Sequence, residues 1–213
     1  MTPDTDIDYL VDTATRRAHE YGVPDSDWLS LLDLLAPLRV LHPATYAHSL
    51  RVGIYAGAMA EAEHHNASFA LGAGCAHDIG KIAVSRDVLN ADPFTDDHFK
   101  CVQVHPTAGF DLLFDEHPLL ALVAGLHHQF QPRGYGIGLD NPEFSRLPAV
   151  AQRHVLECVD FVTVCDYYDS ATTRRDRDRT SRSLRQEMEA HGVPSQRIDW
   201  LFAHDLTLAP AGV

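Results

Sequence analysis

The chain has 213 residues, 45% of them hydrophobic, and its 30 acidic against 17 basic residues give a formal charge of −13. That size and apolar content suit one ordinary domain, or a domain with an added arm, and exclude a disordered, fibrous or collagen-like chain. The acidity excludes general nucleic-acid binding by bulk electrostatics, so an anionic substrate must be small and met by metals or local arginines.

No apolar stretch is long enough to predict a membrane span; Leu119 to Leu126 is typical. Met1-Thr2-Pro3-Asp4 is polar and acidic, unlike a secretory signal, so a cytoplasmic location is the expectation. Cys75, Cys101, Cys158 and Cys165 form no C-x-x-C and are expected to be reduced core residues. The 14 histidines are the one functional hint in the composition.

In chain order, Ile7, Leu10, Val11, Ala14 and Ala18 fall on one face of a predicted helix over residues 4–20. Asp25 or Ser26 can cap a second helix, Trp28 to Leu35, which Pro37 is expected to stop. Both read as packing segments. A third helix, about Ala44 to Glu63, carries His48 in line with Val52, Tyr55 and Ala56, so His48 points inward. A lone histidine there is usually a hydrogen-bonded core residue; the other histidines turn the argument toward a ligand.

Ala67 to His77 is small and apolar and predicts a buried helix, closely packed through Gly72 and Gly74, with Gly80 as its stop. His77-Asp78 falls at its end, and an aspartate in such surroundings must be paired or bound to a cation. Ile82 to Leu89 is a short mixed segment. Thr95 to Phe114 predicts a helix that Pro106, directly after His105, kinks or divides. The apolar run from Leu119 ends in His127-His128. Adjacent helical residues point roughly 100° apart, so both can reach one cluster only if the helix ends there.

Residues 129–147 hold Pro132, Gly134, Gly136, Gly138 and Asn141-Pro142, and predict a long, lid-like loop beside the site. Leu147 to Asp169 is a long apolar helix interrupted by Asp160, Asp166 and Asp169, the last two on one face. Arginines then cluster at 174, 175, 177, 179, 182 and 185. They read either as a solvated helix start or as phosphate-binding forks. Pro194 to Leu208 predicts a further amphipathic helix.

Imidazole and carboxylate together suit zinc, iron, manganese or nickel. His48, His77, Asp78, His105, His127, His128 and Asp166 are too many for one open catalytic ion and about right for two. The two oxygens of Asp78 can bridge ions about 3.5–4 Å apart, which clamp an attacking hydroxide and a leaving oxygen.

The motifs His48-Ser49-Leu50-Arg51-Val52 and His77-Asp78-Ile79-Gly80-Lys81 resemble the HD superfamily of metal-dependent phosphohydrolases. Val88-Leu89-Asn90, His105-Pro106 with Gly109, His127-His128, Gly134-Tyr135-Gly136 with Gly138-Leu139, and Asp166 with Asp169-Ser170-Ala171-Thr172 follow the HD-GYP branch in order, over about 45–179. The resemblance implies an all-α HD-domain helical bundle with extra helices at both ends. One domain then spans 1–213, with a segment 1–43 before the core and helices 180–213 after it. It implies that His48, His77, Asp78 and Asp166 hold one metal and that Asp78, His105, His127 and His128 hold a second. Lys81 then contacts the substrate phosphate, and Asp169 supports the ligands or assists proton transfer. Arg133, Tyr135, Arg174 and Arg175 are the further candidate substrate contacts.

The expected ions are iron or manganese, with nickel, zinc or magnesium as other occupants. Many members hydrolyse cyclic di-GMP, so a phosphodiesterase acting on a small nucleotide is the expectation, with no bulk nucleic acid and no membrane partner. The oligomeric state stays open, a homodimer included. This chain departs from the branch at four places, one being Gln131-Pro132-Arg133 in place of the Asp-Gly before the Gly-Tyr. Gly-Tyr-Pro is Gly134-Tyr135-Gly136, Gln129 replaces an acidic residue after the paired histidines, and Ala44 stands where a glutamate supports a third metal. A nucleotidase on the same scaffold and a binding module without turnover are the rival expectations.

Overall fold

A computed structural model of the protein describes residues 6–130, 134–173 and 181–204. Among these the regular structure is entirely helical, and no helix is long and apolar enough to cross a membrane. The order is α1 (Ile7–Glu20), α2 (Asp25–Leu41), α3 (Pro43–Ala62), α4 (Ala67–Ala76), a 3-10 helix (Ile79–Ala83), α5 (Arg86–Leu89), α6 (Asp96–Val102), α7 (His105–Leu113), α8 (Pro118–Leu126), α9 (Pro142–Ser145), α10 (Ala149–Thr173), α11 (Ser181–Ala190) and α12 (Ser195–Ala203).

The centre of the bundle is α3, buried along most of its circumference, as expected of a helix apolar on all sides. One face carries Tyr46, Ala47, Leu50 and Ile54 into a core shared with α1, α2 and α4. The opposite face carries Val52, Tyr55, Ala56 and Met59 into a second core built largely from α8, α10, α11 and α12. The most extensive helix pairing is α3 against α4. It is backbone on backbone, since a Cβ on Gly74 would lie 2.6 Å from the Gly53 Cα. Gly72, by contrast, has room for a side chain.

The chain also departs from the sequence expectations at Pro37, at the start of α2 and at Gly80. Pro37 does not stop α2, which continues to Leu41. A proline inside a helix costs about 3 kcal/mol. Leu35 and Leu38 flank it, both fully buried and each contributing about 2 kcal/mol. The proline ring itself faces solvent. The start of α2 falls at Pro24, with no side-chain cap; Asp25 lies in the first turn, where its charge suits the helix dipole. Gly80 is not the stop of α4 but sits inside the 3-10 helix. It is required because a Cβ there would overlap the His105 carbonyl and lie 2.5 Å from the Gly109 nitrogen.

Other expectations hold. Residues 95–114 divide at Pro106 into α6, capped by Thr95, and α7, with His105 at the junction. Among the described residues, the loop after α8 contains only the short α9. All four cysteines are free and Cys75, Cys158 and Cys165 are buried, but Cys101 on α6 is exposed and is not the core residue expected. Asp160 faces solvent and pairs with Arg197, which also forks onto Glu63 at 2.8 Å and ties α12 to the end of α3. Arg185 belongs to an exposed pairing with Asp199 and Glu189 between α11 and α12.

Because Gly80 pins the His77-Asp78 segment against α7, Gly80→Ala should push backbone against backbone. The expected loss is about 2–3 kcal/mol in urea unfolding, with weakened metal binding. A wild-type midpoint would show that the two segments part freely.

Candidate metal centre

Two helix C-termini, one helix N-terminus and two long helices deliver the site. His77 follows α4, His127-His128 end α8, and His105 opens α7 just after the turn that ends α6. The C-termini of α4 and α8 carry partial negative charge and favour a cation between them. His48 comes from the first half of α3, and Asp166 and Asp169 come from one face of α10.

The histidine rings are set by the backbone. His77, His105 and His127 each place Nδ1 2.7 Å from a carbonyl three residues upstream: Gly74, Val102 and Ala124. Each Nδ1–H donates, so Nε2 is the bare nitrogen in the neutral ring. This is how histidines are held when they ligate metals. His77 Nε2 is buried with no hydrogen-bond partner among the described residues. The Nε2 atoms of His105 and His127 face each other at 3.3 Å. Two lone pairs at that distance repel unless a cation lies beside them.

The groups interlock. His48, His77 and Asp78 bring ligand atoms within 4.8 Å of one another, as do His105, His127 and His128, and also His77, His127 and Asp166. Asp78 faces both sides. Its Oδ1 lies 3.2 Å from His105 Nε2, while its Oδ2 lies 3.5 Å from His77 Nε2 and 3.6 Å from His48 Nε2. Asp166 Oδ1 is 3.1 Å from His48 Nε2 and 3.9 Å from His77 Nε2. The donor set therefore suits divalent metal ions.

The protonation states follow from burial and neighbours. Burial alone would raise Asp78 and Asp166, but the Lys81 ammonium holds Asp78 well below the usual carboxylate range, and His48 does the same for Asp166. Burial pushes His77 and His127 down, and His128 down to about 4, so these rings stay neutral and available as ligands. His48 runs the other way. Burial lowers it, but hydrogen bonds to Asp166 and Asp169 outweigh that and lift it to about 9.

Lys81 pairs with Asp78 Oδ2 at 2.5 Å and is 19% exposed, which places its ammonium at the rim of the cluster. Asp169 stands behind His48, with Oδ2 2.7 Å from Nδ1. Tyr135 stacks on His128, ring centroids 4.5 Å apart and 28° between planes, with its edge toward Phe99. Arg133, Arg174 and Arg175 lie outside the described residues.

Sequence reasoning assigned no role to three supporting residues. Arg51 is buried against Asp169. The Thr163 hydroxyl donates to the His127 carbonyl at 2.7 Å, and the Ser170 hydroxyl donates to Asp166 at 3.2 Å. An arginine in an otherwise apolar helix, three residues from His48, was a visible signal for the first. Thr163 and Ser170 offered none beyond residue type.

The model of the HD domain family matches residues 45–171, which contain every one of these ligands. This chain belongs to the HD domain family. The cyclic di-GMP phosphodiesterase PA4108 of Pseudomonas aeruginosa is 30% identical over 148 residues, 66% of this HD chain and 33% of that protein. The chain thus spans about a third of that relative's length. The phosphodiesterase PgpH HD domain of L. monocytogenes shares the fold at TM-score 0.52 and 18% identity, over 82% of this chain and 89% of that one. Its complex with cyclic-di-AMP aligns at 0.53 and 16% identity, over 85% and 87%.

Within this HD domain the segment around Tyr135 is tied to α8 by its backbone. Tyr135 N donates to the His128 carbonyl at 3.4 Å and Ile137 N to the Gly125 carbonyl at 3.0 Å, with Ile137 buried as an anchor. Gly136 between them has φ 102°. Proline is held near −65° and cannot adopt it.

Gly136→Pro should therefore unseat Tyr135 from His128. The expected cost is roughly 1–3 kcal/mol in urea unfolding, with faster proteolytic cleavage between residues 129 and 141. Unchanged stability and cleavage would mean that the segment accommodates proline along another path.

Proposed function

We propose that this chain is a metal-dependent phosphodiesterase acting on a cyclic dinucleotide, cyclic di-GMP or a related nucleotide. The observation that carries this reading is Asp78, whose two oxygens face two different histidine groups, the arrangement a bridging carboxylate requires. The relative named a cyclic di-GMP phosphodiesterase and the fold shared with an HD domain solved with cyclic-di-AMP support the substrate class.

His48, His77, Asp78 and Asp166 would hold one divalent ion, and Asp78, His105, His127 and His128 the other, with iron or manganese as the occupants. Bound there, the ions supply Lewis acidity toward a phosphoryl oxygen and make water a nucleophile at neutral pH. The protein's own part is positional and electrostatic. The carbonyls of Gly74, Val102 and Ala124 keep three imidazoles in one tautomer. The low proton affinity of His77, His127 and His128 keeps them from being lost to protonation. Lys81, at the rim, stands where a phosphate oxygen meets a positive charge as negative charge builds on phosphorus. Tyr135 covers the His128 side of the cluster, which restricts water there and offers a face to the nucleotide.

The path of Gly136 favours a second reading, a phosphomonoesterase or nucleotidase on the same scaffold, because this segment does not follow the Gly-Tyr-Pro pattern. One experiment separates the readings. Protein purified without oxygen and loaded with manganese or iron is given cyclic di-GMP, its linear product, other cyclic dinucleotides and nucleoside monophosphates. Cleavage of a cyclic dinucleotide, lost together with metal binding in Asp78→Ala, is expected. Cleavage of monophosphates alone selects the nucleotidase. Tight nucleotide binding without product makes the chain a binding module, and wild-type turnover in Asp78→Ala removes the bridging role.

A further inference from the structure

Behind the proposed metal centre lies a pair of side chains placed to touch neither metal nor substrate. Arg51 is one turn along α3 from His48 and is buried in a helix that has no other lysine or arginine. Its guanidinium forks onto Asp169, Nε to Oδ1 at 2.6 Å and Nη2 to Oδ2 at 2.9 Å. The same Oδ2 accepts the Nδ1–H of His48 at 2.7 Å. Asp169 is fully shielded from solvent, and both of its oxygens are taken up by these two partners.

From this geometry, which rests on the metal-centre reading above, we infer that Arg51 and Asp169 form a positioning unit for His48, and that Asp169 carries no proton to the substrate. A guanidinium fork fixes the plane of a carboxylate, which a lysine's point charge does not. The fixed Oδ2 then sets the tilt of the His48 ring, and the tilt aims Nε2 at Asp166, 3.1 Å away, and at Asp78, 3.6 Å away. His105, His127 and His128 are anchored separately, through α6, α7, α8 and Tyr135. The unit therefore acts on one of the two metal positions.

The test is a cobalt(II) titration of metal-free protein, followed by ligand-field absorption and by competition with a chelator. The step that belongs to His48 is identified as the one lost in His48→Ala. In Arg51→Met and Asp169→Asn that step should weaken by roughly 10–100-fold while the other changes less than about twofold. Arg51→Lys should fall between, because it keeps the charge and loses the fork. Two unchanged steps in folded Arg51→Met overturn the inference. Equal weakening of both steps with a lowered melting temperature also overturns it, because that is what a purely structural role produces. Should Arg51→Met fail to fold, the near-isosteric Asp169→Asn and Arg51→Lys decide by the same criterion. A wild-type chain that takes up no cobalt refutes the metal centre itself, an outcome distinct from two normal steps in the variants.

Discussion

Three carboxylates, Asp78, Asp166 and Asp169, are buried within one bundle, and their charge has to be met from inside it. An unpaired buried carboxylate costs several kcal/mol. The protein meets two of the three with its own cations: the Arg51 fork on Asp169 and the Lys81 ammonium on Asp78. His48 lies between Asp166 and Asp169, its Nε2 3.1 Å from one and its Nδ1 2.7 Å from the other. Burial keeps His77, His127 and His128 neutral, so these rings bring nitrogen acceptors to the centre. Such a surplus of acceptors is a cation site by its chemistry.

The backbone makes this surplus possible. A histidine whose Nδ1–H is spent on a carbonyl three residues upstream has one tautomer and one direction for Nε2. Three histidines in this chain do this at three separate helix ends. The ends converge because α4 lies against α3 at Gly53 and Gly74, and because the 3-10 helix lies against α7 at Gly80. The small residues therefore determine the site as much as the ligands do, by setting how near the ligand-bearing backbones approach.

Family membership carries the fold, and the segment after α8 adds a local feature beside the cluster. There the protein seats an aromatic ring on His128 and turns at a backbone angle open only to glycine among ordinary residues. Of the five histidines in the cluster, His128 alone has no Nδ1 partner among the described residues, and its ring is packed instead under that of Tyr135.

How much of this was legible in the sequence depended on the range of the interaction. Helical periodicity, the apolar run into His77-Asp78, the break at Pro106 and the shared face of Asp166 and Asp169 are local features, and periodicity exposes local features. The all-helical bundle and the ligand set followed from them and from the order of the motifs. Pro37 misled because its local cost is outweighed by Leu35 and Leu38, whose partners are remote in sequence. Gly80 misled in the same way, since a glycine needed for contact with His105, 25 residues on by sequence number, looks identical to a helix stop. The tautomers, the two faces of Asp78, the bond from Arg51 to Asp169 across 118 positions and the stacking of Tyr135 exist only once the helices are packed. The sequence by itself determined which atoms can bind a cation; packing alone decided which of those atoms face one another, because their distances are set by helix contacts between segments far apart in the chain.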